Sequence, residues 1–127
     1  MGRRAARVDG NQRELVKVLR QCGISVLDTS GAHDGFPDLV LGYNGVTVLA
    51  EVKDGSLIPS RRKLKPAQQV VHGEFKGAIT VIETVDQALK LVETMRTAAH
   101  RLNGTNWNMG AVAYATQTDK TKGERHA

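Results

Sequence analysis

The sequence contains a single cysteine, Cys22, among its 127 residues. An internal disulfide and a cysteine-based zinc cluster are therefore excluded. Cys22 is interpreted as a small core residue rather than a reactive thiol. The four histidines (His33, His72, His100 and His126) show no metal-ligand spacing, so they predict no zinc site.

Long apolar runs are also absent. None approaches the ~20 residues of a membrane-spanning helix, and the arginine-rich beginning of the chain is not followed by the apolar region of a signal peptide. A hydrophobic content of 40% over 127 residues is typical of one soluble globular domain. We therefore expect a single domain that stays in the cytoplasm.

Basic residues outnumber acidic ones, with 18 Lys and Arg against 13 Asp and Glu and a net charge of +5. This excess favours an anionic partner, of which nucleic acid is the commonest. Taken singly, each basic cluster is equally consistent with solvated surface charge. The clusters comprise Arg3, Arg4, Arg7, Arg13, Lys17 and Arg20 near the beginning, and Arg61, Arg62, Lys63 and Lys65 near the middle.

Two apolar runs joined by Asn44-Gly45 lie at the centre of the chain, between residues 35 and 55. Asn-Gly between alternating apolar residues predicts a β-hairpin with a two-residue type I′ turn. The resulting register places Asp38 opposite Glu51, and the alternation of side chains puts Lys53 on the same face as Glu51. A single β-bulge would move the acids out of direct opposition.

Carboxylates placed directly opposite each other destabilise a strand pair. A hard divalent cation with oxygen ligands, such as Mg²⁺, is the usual compensation. Asp38 and Glu51 are therefore candidate metal ligands.

The flanking sequence predicts an α/β fold with the order α-β-β-β-α-β-α and a mixed central sheet flanked by helices. Helices are predicted over residues 11–21 and 66–75, and a third helix is predicted to begin at the capping box that Thr84 and Gln87 form. Further strands are predicted over residues 24–28 and 78–83. Residues 56–65, named here the basic loop, precede the second helix. Residues 1–97 form the predicted domain, which begins with a basic arm over residues 1–8. Residues 98–127 form a predicted polar tail that is either partly disordered or docked on a neighbouring subunit.

Four sequence pieces in this order resemble the PD-(D/E)xK nuclease superfamily, most of all its small VRR-NUC and Holliday-junction-resolvase-like members. The likeness covers about residues 10–95 and implies a restriction-endonuclease-like core. The four pieces are Glu14 on the first helix, Gly35-Phe36-Pro37-Asp38-Leu39, Glu51-Val52-Lys53, and Pro66-Ala67-Gln68.

The resemblance implies a role for each matching residue. Asp38, Glu51 and the carbonyl of Val52 would hold Mg²⁺ or Mn²⁺, and Glu14 would be a further metal-site acid. Spacing alone instead favours Glu14 as the partner of Asn11 in a capping box. Lys53 would orient or deprotonate the attacking water, or contact the phosphate, and Gln68 would point at the site, although a first-turn glutamine is most often only solvent-exposed.

We therefore expect a metal-dependent endonuclease that cleaves branched or flap-like DNA. Arg61, Arg62, Lys63, Lys65, Arg3, Arg4 and Arg7 would contact its phosphates. Nothing in the sequence resembles a groove-reading helix, so recognition of base sequence is not expected. A homodimer is one possible state, since bridging two strands of a junction needs two sites. Two alternatives stay open, a non-catalytic nucleic-acid-binding module on the same fold and an interaction protein whose acids are exposed edge charges.

Overall fold

The computed structural model describes residues 10–104. The predicted arm and the tail from residue 105 onward lie outside the described residues. The helices and strands, in chain order, are α1 (Gln12–Gln21), β1 (Ser25–Asp28), β2 (Leu39–Tyr43), β3 (Val46–Val52), a 3₁₀ turn (Pro59–Arg61), α2 (Pro66–Glu74), β4 (Ile79–Ile82) and α3 (Val85–Asn103).

The four strands form one mixed sheet in the order β1-β2-β3-β4. The first three strands are antiparallel neighbours, and β4 pairs in parallel with β3. Parallel neighbours need a crossover connection, and α2 lies in it. The predicted α/β class and element order are confirmed.

The central hairpin has the predicted turn. Asn44 and Gly45 both have positive φ, 44° and 91°, as a type I′ turn requires. Tyr43 consequently pairs with Val46, and the ladder continues without a bulge to Leu39 and Ala50.

One face of the sheet carries the hydrophobic core, and α1 and α3 pack against it. Burial of its apolar side chains is the main stabilising contribution. The opposite face is covered less, since α2 has no buried residue. The largest fully buried core side chains are Leu15, Leu19, Leu39, Leu41, Met95 and Val52.

Two predictions about helix ends differ from the structure. Helix α3 continues to Asn103 and buries Ala99, so the first six residues assigned to the tail are helical. The capping box at the start of α1 is wrong, because the Asn11 side chain makes no capping hydrogen bond. At α3 the predicted cap does form, with the Gln87 N–H donating to Thr84 Oγ1 at 3.1 Å. Within residues 10–104, no helix combines the length and apolar character needed to cross a bilayer.

Candidate active site

Asp38 ends the loop that joins β1 to β2 (residues 29–38). Thr29 fixes this end of the loop, because its N–H donates to the Asp38 carbonyl and its hydroxyl to the Pro37 carbonyl, each at 2.7 Å. The Asp38 carboxylate turns toward the next strand, where Oδ2 accepts a hydrogen bond from the Val52 N–H at 2.9 Å. Asp38 therefore lies beside the carboxyl end of β3, as the hairpin register predicts.

Glu51 and Lys53 lie at this end of β3. Ala50 and Val52 point into the core, so the alternation of side chains sends Glu51 and Lys53 to the opposite face. Both are charged yet nearly inaccessible to solvent, with exposures of 2% and 9%. Lys53 Nζ lies 3.9 Å from Glu51 Oε2. Buried charges need compensating partners, and the pair supplies part of that compensation.

Gln68, in the first turn of α2, joins these two residues. Its Nε2 donates to Glu51 Oε2 at 2.7 Å, and its Oε1 accepts from Lys53 Nζ at 2.9 Å. The same oxygen accepts from the backbone N–H of Lys65 at 2.8 Å, which caps the beginning of the helix. Gln68 thus points at Glu51 and Lys53 and contacts both of them, while its role in a reaction stays a prediction.

Close packing between the β1–β2 loop and α2 keeps the site compact. Gly35 has φ +83°, and a Cβ there would lie 2.8 Å from the carbonyl oxygen of Ala67. Glycine is therefore required both for the backbone conformation and for the approach of the helix. Between loop and helix lies a cleft of about 300 Å³ whose lining includes Asp38, Gln68 and Lys65.

The donor set suits a hard cation. The Val52 N–H points at Asp38, and a residue in an extended strand directs its carbonyl to the same edge as its N–H. The Val52 carbonyl is therefore directed to the β2 side of β3, the side on which Asp38 lies, and with Asp38 and Glu51 it offers oxygen donors of the kind that Mg²⁺ and Mn²⁺ prefer. Within residues 10–104, no three His, Cys, Asp or Glu side chains converge on a possible metal position. Water and substrate phosphate would have to complete the coordination.

The divalent cation predicted at Asp38 and Glu51 stays a prediction. It would offset the repulsion between the two acids. In the structure, protein groups already offset part of it, because the Val52 N–H bonds to Asp38, and Gln68 and Lys53 lie beside Glu51.

Glu14 lies on the exposed side of α1. Glu14 takes no part in the hydrogen bonds that Val52 and Gln68 make with Asp38, Glu51 and Lys53. The metal role of Glu14 stays a prediction. The buried polar residue of this helix is Gln12, whose Nε2 donates to Asp28 Oδ2 at 3.3 Å.

Two tethers behind the site had no sequence signal. Asn11 Nδ2 donates to the carbonyls of Lys53 and Glu83, at 3.1 and 2.8 Å, and so ties α1 to the ends of β3 and β4. Arg62 Nη1 donates to Glu83 Oε1 at 2.7 Å. Both join residues far apart in the chain, which periodicity and local motifs do not reveal.

The basic residues of the middle cluster have different surroundings. Arg61, Lys63 and Lys65 are exposed, whereas Arg62 is half-buried in its ion pair with Glu83. Three side chains are therefore open for phosphate contact. Arg3, Arg4 and Arg7 lie outside the described residues.

His72 follows Gln68 by one turn of α2. Burial lowers the pKa of His72 from its usual value of 6.5, and the positive charge of Lys53 lowers it further. His72 is therefore neutral at pH 7 and within electrostatic reach of the site.

No protein-family model matches the chain, and neither a curated protein nor a solved structure matches it.

Proposed function

We propose that this chain is a Mg²⁺- or Mn²⁺-dependent endonuclease that hydrolyses DNA phosphodiester bonds in the cytoplasm. The observation that carries the proposal is that the Val52 N–H holds Asp38 at the end of β3, where Gln68 joins Glu51 and Lys53. Nearly buried charges reduce stability unless they are paired. Charged and amide side chains that converge beside an open cleft make this the candidate catalytic site.

In this proposal Asp38, Glu51 and the Val52 carbonyl hold the divalent ion. When bound, such an ion polarises a phosphoryl oxygen, lowers the pKa of bound water and offsets negative charge in the transition state. The protein contributes a fixed geometry. The Val52 N–H orients Asp38, and Gln68 orients Glu51.

Lys53 contributes a positive charge whose position is set. Its Nζ donates to Gln68 Oε1, and its remaining protons are available to a phosphate oxygen or to the attacking water. Because Gln68 contacts Lys53 and Glu51 at once, movement of α2 would displace both.

The exposed side chains of Arg61, Lys63 and Lys65 support binding of a nucleic-acid backbone. Phosphate contacts carry no base sequence, so specificity for DNA structure is proposed, with branched or flap DNA as the favoured substrate on the strength of the family resemblance. Two strands of a junction would need two chains, and light scattering of the protein with and without junction DNA tests for a homodimer.

The function is tested with labelled single-stranded, duplex, flap and four-way-junction DNA in Mg²⁺, Mn²⁺ or EDTA. Wild type is expected to cleave branched substrates only with a divalent ion, whereas Asp38→Asn and Lys53→Ala bind the DNA without cleaving it. Salt-sensitive binding with no cleavage by wild type would favour the non-catalytic binding module. Equal cleavage by wild type and both variants would refute the assignment.

A further inference from the structure

Two large apolar side chains project from the chain directly after the candidate site. Leu57 is 41% exposed and Ile58 is 63% exposed. They lie near the beginning of the basic loop, which carries four basic residues, and Asp54 precedes the loop by two residues. Exposed apolar side chains next to a cluster of basic residues suggest a partner that is both apolar and polyanionic.

Both ends of the basic loop lie near the site. Lys53 precedes the loop and Lys65 ends it, and the Lys53 ammonium and the Lys65 N–H donate to the same oxygen of Gln68. The chain therefore leaves the site at Lys53 and returns to it at Lys65.

The segment has a fixed structure at its beginning. The Asp54 carboxylate accepts hydrogen bonds from the Ser56 hydroxyl at 2.7 Å and the Ser56 N–H at 2.9 Å, and these bonds lower the pKa of Asp54. The Leu57 N–H donates to the Asp54 carbonyl at 3.0 Å. Leu57 is therefore held by a hydrogen-bonded turn.

The following residues are fixed as well. Pro59 begins the 3₁₀ turn, and Ile58 before it is extended, with ψ 154°, as residues preceding proline prefer. Gly55 and Arg62 attach the two sides of the segment to Glu83 at the end of β4. Leu57 and Ile58 are thus presented to solvent on an ordered support.

We propose that Leu57 and Ile58 form a wedge that unstacks the base pair next to the branch point of a DNA substrate, while Arg61, Lys63 and Lys65 bind the adjoining phosphates. Apolar side chains of this kind insert between base steps and unstack them in other DNA-binding proteins. A branch point interrupts the continuous stack, so unstacking the base pair beside it costs less free energy than unstacking one inside a duplex. The inference rests on the proposed function and specifies how a branched substrate is selected.

The test uses a flap duplex with 2-aminopurine in the base pair next to the branch, in EDTA so that no cleavage occurs. Saturating wild-type protein is expected to raise 2-aminopurine fluorescence, because the base unstacks. The double variant Leu57→Ser, Ile58→Ser is expected to lose most of this rise. Fluorescence anisotropy verifies that the DNA is saturated with protein. The double variant Leu57→Met, Ile58→Met keeps apolar side chains and is expected to retain it.

A matched control is Leu27→Ser, since Leu27 on β1 is also 63% exposed. It is expected to raise the fluorescence as wild type does, and thermal melting verifies that every variant folds. An undiminished rise with the serine double variant would overturn the wedge. A change of oligomeric state in that variant, with unstacking unchanged, would also overturn it and assign the surface to a second copy of the chain.

Parallel reactions in Mg²⁺ separate the two proposals. Unstacking that depends on Leu57 and Ile58 without any cleavage would leave the wedge standing and remove the nuclease. Metal-dependent cleavage with unstacking independent of these residues would do the reverse.

Discussion

Replacing Gln68 by leucine tests the geometry of the site without reference to activity. The change keeps the approximate volume of the side chain but removes its contacts with the Glu51 carboxylate, the Lys53 ammonium and the Lys65 N–H. Hydrogen bonds to charged groups contribute about 1.5–3 kcal/mol each. Because Gln68 is only half-buried and water replaces part of the loss, we expect the free energy of unfolding to fall by about 2–4 kcal/mol.

The neighbouring Gln69 supplies the control. It is exposed, and its side chain makes one hydrogen bond, to the Leu64 carbonyl at 2.9 Å. Gln69→Leu is expected to lower the free energy of unfolding by no more than about 1 kcal/mol. Urea unfolding measures both variants, and a domain of this size loses roughly 4–8 °C in melting temperature per kcal/mol. If Gln68→Leu is no more destabilising than Gln69→Leu, Gln68 does not hold the buried charges together.

Three further predictions address the surroundings of the site. Gly35→Ala meets both an unfavourable φ and a backbone carbonyl at 2.8 Å, whereas Gly31→Ala meets the same φ of +83° in open space. Gly35→Ala should therefore be the more destabilising by at least about 1 kcal/mol in urea unfolding, and equal losses would exclude the close packing. Asn11→Asp keeps a good helix cap but cannot donate to the two carbonyls that the asparagine joins. Asn11→Asp should lower the free energy of unfolding by about 1–3 kcal/mol. An unchanged free energy of unfolding would instead favour Asn11 as a helix cap. The pKa of His72, measured by NMR, should lie below 6.5 and rise in Lys53→Met. As the pH falls below about 6.5, the unfolded chain takes up a proton before folded His72 does, so wild type should lose stability there and His72→Gln should lose less.

The hairpin was predictable because its signals are local. Asn44-Gly45 restricts the turn, the turn determines the register, and the register determines which side chains share a face. The position of Asp38, Glu51 and Lys53 at one end of β3 can therefore be predicted from local signals, without knowledge of any distant contact.

The supporting contacts were less accessible to sequence reasoning. Asn11 looked like a helix cap, because the capping pattern is a local signal, but its side chain bonds to carbonyls 42 and 72 residues away. The dual contact of Gln68 with Glu51 and Lys53 depends on where α2 packs. The end of α3 was missed since polar composition overrode the apolar period that buries Ala99.

The central claim is that Asp38 and Glu51 form a divalent-ion site that cleaves DNA. The most direct measurement is the single-turnover rate of flap cleavage as a function of Mn²⁺ concentration for wild type, Asp38→Asn and Asp86→Asn, the last removing an exposed acid from the first turn of α3. We expect an ion-dependent rate that Asp38→Asn lowers at least about 100-fold and Asp86→Asn leaves unchanged. A rate that does not depend on Mn²⁺, or that is the same in wild type and Asp38→Asn, would contradict it.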